Sequence, residues 1–112
     1  MITTYITYIR QKNRAKKALI LAGQFSNTMN SMIDQLYDVL SDNNGFGSPK
    51  AMLLMEDIKR MSNEMAQREQ VCLTYFQEKD YRSCETISSF VSDLSVSINK
   101  KIAELRNLIQ NS

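Results

Sequence analysis

A chain of 112 residues is one domain's worth of sequence, and at 43% hydrophobic it can bury a core rather than stay disordered. It has no His and no Trp, and no phosphate loop, Gly-x-Ser-x-Gly elbow or persuasive carboxylate pair, so the expectation is a non-enzyme with no cofactor and no metal site. The formal net charge of +2 is too near neutral for a dedicated nucleic-acid binder, yet residues 1–33 hold five bases and no acid, against nine bases and twelve acids in the remainder.

Residues 2–9 mix strand-favouring Ile, Thr and Tyr with a helical spacing of Ile2, Tyr5, Ile6 and Ile9. No second strand is available to pair with them, so a helix, frayed or whole, is expected. The basic run follows. Arg10, Arg14 and Lys17 share one helical face, and Lys12 and Lys16 share another. These five are the candidate anion-binding residues, with Tyr5 and Tyr8 near enough in sequence to stack on bases. The plainer reading is a solvated helix face.

From Ala15 the apolar pattern becomes a heptad seam: Ala15, Ala18, Ala22, Phe25, Met29, Met32, Leu36 and Val39, with Ile33 and Leu40 as a neighbouring stripe. Asp34, Asp38 and Asp42 form an acidic ridge away from it. Oxygen-ligand metal sites usually draw on loops as well as one ridge, so a solvated face is expected there.

Residues 43–48 are the turn. They hold Gly45 and Gly47, one of which should take positive φ, and end on Ser48 as helix N-cap before Pro49 at the first helical position. The second arm, residues 49–110, carries Ala51, Leu54, Ile58, Met61, Met65, Cys72 and Tyr75 on its stripe, with Arg68 the charged exception. Lys79-Asp80-Tyr81-Arg82 interrupts the pattern but contains neither Gly nor Pro. The stripe then resumes from Cys84 through Ile87, Val91, Leu94, Ile98, Ile102, Leu105 and Ile109.

The fold expected is therefore all-α: one domain over residues 1–112, an antiparallel hairpin of two long helices (residues 1–42 and 49–110). A continuous second arm outruns the first, so the stripe at Ile87, Val91, Leu94, Ile98, Ile102 and Leu105 would need a partner chain or a second copy. The alternative is a bend near residue 80 that makes a self-sufficient three-helix bundle. Six internal methionines gather near the turn, and Met29, Met32, Met61 and Met65 read either as core or as an adaptable surface for a partner helix.

Cys72 and Cys84 on one continuous helix lie roughly 18 Å apart, which excludes a bridge between them. Small buried hydrophobes in a reduced, cytoplasmic protein are the expectation. The longest apolar run, Ala18 to Ala22, is far short of a membrane span, and no cleaved leader is read at the N-terminus. Export, if it occurs, would use a leaderless route.

The tip Gly45-Phe46-Gly47 and the helix start Ser48-Pro49-Lys50-Ala51-Met52-Leu53-Leu54 resemble the small helical-hairpin proteins of specialised bacterial secretion systems. The WXG100-like substrates share the hairpin, although the Trp-x-Gly is absent here. Type III needle subunits and their small chaperones share the Pro-containing turn into an amphipathic helix, with a shorter chain after it in the needle subunit. The resemblance covers about residues 36–65. It implies a non-enzymatic protein–protein interaction module, a small chaperone or component of a secretion apparatus, that self-associates or covers an apolar helix of a partner. The alternative is a small nucleic-acid-associated regulator using Arg10, Lys12, Arg14, Lys16 and Lys17.

Overall fold

The computed structural model describes residues 2–42 and 47–110. They form three helices, α1 (Ile2–Asp42), α2 (Pro49–Gln77) and α3 (Tyr81–Gln110), packed into an antiparallel bundle. The single second arm of the hairpin is thus two helices. The bend falls at residues 78–80, and α3 folds back to lie against both α1 and α2.

The start of α2 follows the sequence. Ser48 is the N-cap, with its hydroxyl accepting from the Ala51 backbone N–H at 3.3 Å, and Pro49 opens the helix, where its missing N–H costs nothing. Of the two turn glycines, Gly45 lies outside the described residues, and Gly47 does not take positive φ.

The break between α2 and α3 needs no glycine. Lys79 takes the left-handed conformation at φ 63°. Its N–H donates to the Phe76 carbonyl at 3.0 Å, and the Asp80 N–H donates to the Tyr75 carbonyl at 2.9 Å. Those two bonds make a Schellman motif, with Lys79 in the place glycine usually fills. Asp80 then caps α3: its carboxylate accepts from the Ser83 N–H at 3.2 Å and the Ser83 hydroxyl at 2.8 Å. An L-residue in that conformation costs about 1–2 kcal/mol. Lys79→Gly is therefore expected to stabilise the protein by about 1 kcal/mol in urea unfolding. A loss of stability would mean that the turn does not adopt this geometry.

The buried stripe is rotated from the expected seam. On α1 it runs Ala15, Ala22, Ser26, Met29, Ile33, Leu36 and Leu40, while Phe25 and Met32 sit half-buried at its flank and Val39 is 38% exposed. On α2 Met55 and Ser62 are buried, and Leu54 and Met61 flank them. On α3 the stripe is a strict alternation of three and four: Tyr81, Cys84, Ser88, Val91, Ser95, Ile98, Ile102 and Leu105. A helix in a three-helix bundle faces two neighbours, so its buried line bisects the directions to both. Alanines, serines and cysteines share that line with Met, Ile and Leu.

Contacts among Ala15, Cys72 and Cys84 fix the register at one end. Stepping along the heptads places Ala22 with Met65 and Val91, then Met29 with Ile58 and Ile98, then Leu36 with Ala51 and Leu105, all in one core cluster. Between the first two of these layers, each helix contributes a serine: Ser26, Ser62 and Ser95. Ser62 donates to Asn30 Oδ1 at 3.1 Å, Ser95 to the Ser92 carbonyl at 2.7 Å, and farther along Ser88 to the Ala18 carbonyl at 2.9 Å. These bonds satisfy hydroxyls that would otherwise be costly to bury.

Candidate functional site

The three helices differ in length. At the rise of an α-helix, α1 runs about 60 Å and α2 and α3 about 45 Å each, within a long dimension of 65 Å. α1 is therefore the element that projects. The overhang is at its N-terminus and not, as a continuous second arm would have it, at the end of the chain.

The bundle is closed below the projection by three rings. Tyr8 meets Tyr81 edge to face with centroids 5.6 Å apart and hydroxyls at 3.3 Å, and Phe76 packs against Tyr81 at 5.3 Å. The bond to Tyr8, with burial, holds the Tyr81 phenol above its ordinary pKa. Along this N-terminal stretch α1 also carries large apolar residues set to one side of its buried line, which in heptad steps back from Ala15 runs through Tyr8. Ile2 is 77% and Tyr5 65% exposed, and Ile6 and Ile9 are exposed beside them. Their spacing puts all four on one face, with Thr3, Thr4 and Thr7 on the other.

The basic run adjoins this face. Arg14 pairs with Glu85 of α3 at 3.1 Å, whereas Arg10, Lys12, Lys16 and Lys17 make no ion pair among the described residues and are exposed. The five expected anion-binding residues thus share one end of α1, one of them tied to the bundle and four facing solvent.

The expected partner-binding residues lie elsewhere. Met29, Met65, Val91, Ile98, Ile102 and Leu105 are buried in the central core. Met32, Met61 and Leu94 are half-buried against it, and Ile87 packs on the cysteine cluster. Because α3 folds back, the stripe from Ile87 to Leu105 is covered inside the chain, and the need for a partner to cover it disappears. The methionines likewise act as core, their flexible side chains filling the layers around Ile58 and Ile98.

The acidic ridge of Asp34, Asp38 and Asp42 faces solvent, and no group of three metal-ligating side chains converges among the described residues. The outer face of α2 carries charges of both signs. Arg60 pairs with Asp57, Arg68 with Glu64, and Lys101 of α3 reaches Asp57 at 3.6 Å. Lys59 lies over the Tyr37 ring and Arg68 over the Phe90 ring. Depressions along this face are shallow and lined by these paired charges, which suits a solvated surface. No described helix is long and apolar enough to cross a membrane.

The uncovered face at Ile2, Tyr5, Ile6 and Ile9 is visible in the sequence as a helical spacing. Its exposure is not, since that depends on where α2 and α3 meet. No protein-family model, curated protein or solved structure matches this chain.

Proposed function

We propose that the protein is a non-enzymatic protein–protein interaction module that engages its partner through the projecting N-terminal part of α1. The observation that carries this reading is the exposed face of Ile2, Tyr5, Ile6 and Ile9, four large apolar side chains within one short stretch, on a molecule whose described residues elsewhere expose such side chains singly or, at Ile20 and Leu21, as a pair. Each Ile or Tyr buried there contributes about 1.5–3 kcal/mol before ordering costs. The adjacent unpaired bases favour an acidic, amphipathic helix as the surface that covers it. A small chaperone or secretion-apparatus component is the setting that the resemblance at residues 36–65 implies.

Affinity purification with the full chain tests the reading. Tyr5→Asp with Ile9→Asp is expected to lower partner retention at least tenfold, by the loss of about 1.4 kcal/mol or more, while the thermal midpoint stays close to that of the parent. Unchanged retention by the double variant would exclude this face. The nucleic-acid reading has a separate support in the four unpaired bases. It predicts binding to DNA or RNA that weakens steeply with salt and is lost when Arg10, Lys12, Lys16 and Lys17 become Gln.

A further inference from the structure

The turn at residues 78–80 brings together two thiols that a continuous helix would hold far apart. Cys72, near the end of α2, and Cys84, in the first turn of α3, have their sulfurs 3.1 Å from each other. Both are free and fully buried. We propose that Cys72 and Cys84 are a covalent modification site, at which an intramolecular disulfide staples the C-terminal end of α2 to the N-terminal end of α3.

The surroundings fit a bond. A disulfide has its sulfurs about 2.05 Å apart, so they need to close by only about 1 Å. α1 presents Ala15 at this level, and the Cys84 thiol reaches the Ala15 carbonyl at 3.8 Å. A small residue there leaves the α2–α3 contact room to tighten. Leu19, Tyr75, Phe76, Tyr81 and Ile87 enclose the pair. No third His, Cys, Asp or Glu groups with the two sulfurs among the described residues.

The same burial decides what kind of disulfide it is. Burial raises the Cys72 thiol above its ordinary pKa and pushes Cys84 up to about 12. Folded, the pair is protonated and enclosed, which is unsuited to rapid exchange with other proteins. The bond therefore forms during folding or on local opening of the turn. Once the turn opens, either thiol can react first, and both orders give the same product. With a low-molecular-weight disulfide such as oxidised glutathione as oxidant, one protein thiolate displaces one glutathione thiolate and leaves a mixed disulfide. The other protein thiolate then attacks the cysteine sulfur of that mixed disulfide and releases the second glutathione thiolate. Two protein thiols lose two electrons and two protons, and one glutathione disulfide becomes two glutathione thiols.

The test is a redox titration of the full-length protein in glutathione buffers spanning reducing to oxidising poise, quenched with an alkylating agent. The expected product at oxidising poise is a monomer lighter by two hydrogens, with Cys72 and Cys84 cross-linked in a non-reducing digest. Its thermal midpoint should rise by about 10 °C. Cys72→Ser and Cys84→Ser should each abolish both the cross-link and the rise. Recovery of two alkylatable thiols, a stable glutathione adduct, or a disulfide between chains would overturn the proposal. A cross-linked monomer whose midpoint falls would also overturn it, because the bond would then be distorting the bundle.

Discussion

Ile98→Asp is expected to unfold the protein outright. Ile98 is fully buried in the layer it forms with Met29 and Ile58, and none of these neighbours offers a carboxylate a hydrogen bond. Burying an unpaired charge and losing the apolar contact together cost more than about 4 kcal/mol, a large part of the 5–15 kcal/mol that holds a typical domain. The companion change is Val96→Asp, two residues away on a site 52% exposed, with an expected cost near or below about 0.5 kcal/mol. Circular dichroism with urea unfolding distinguishes them. If Ile98→Asp kept a cooperative transition at the parent's midpoint, α3 would not be packed in the bundle. Its stripe would instead be facing outward, as on a single continuous second arm.

Leu40→Ala should cost about 2–5 kcal/mol, and its neighbour Val39→Ala less than about 1 kcal/mol. Leu40 is fully buried in the central cluster, whereas Val39 is on the flank. The heptad read from sequence puts Val39 on the seam and Leu40 beside it, so the order of the two losses reports the register of α1 directly. The reverse order in denaturant titrations would return α1 to the two-helix register and remove the serine layer at Ser26, Ser62 and Ser95.

Much of the architecture was legible in the chain because helix signals are local. Apolar residues three and four apart fix which stretches are helical and roughly which side is buried. Ser48 and Pro49 specify the start of α2 through their own hydrogen-bonding chemistry. The candidate site was legible only as a pattern: Ile2, Tyr5, Ile6 and Ile9 lie on one face in any helix.

What the sequence by itself determined is therefore an all-α chain with a helix start at Pro49 and amphipathic segments on either side of residue 80. Tertiary structure alone decided the break at 78–80. Lys79 enters the left-handed conformation at a local cost, and that cost is offset by the stripe from Val91 to Leu105, which α3 can bury only by turning back. Every other departure follows from that turn. It rotates the buried lines so that serines replace Phe25, Met61 and Leu94 at the centre. It moves the overhang from the end of the chain to Ile2 and Tyr5. And it carries Cys72 to Cys84, because two residues far apart along one helix axis become neighbours once that axis doubles back.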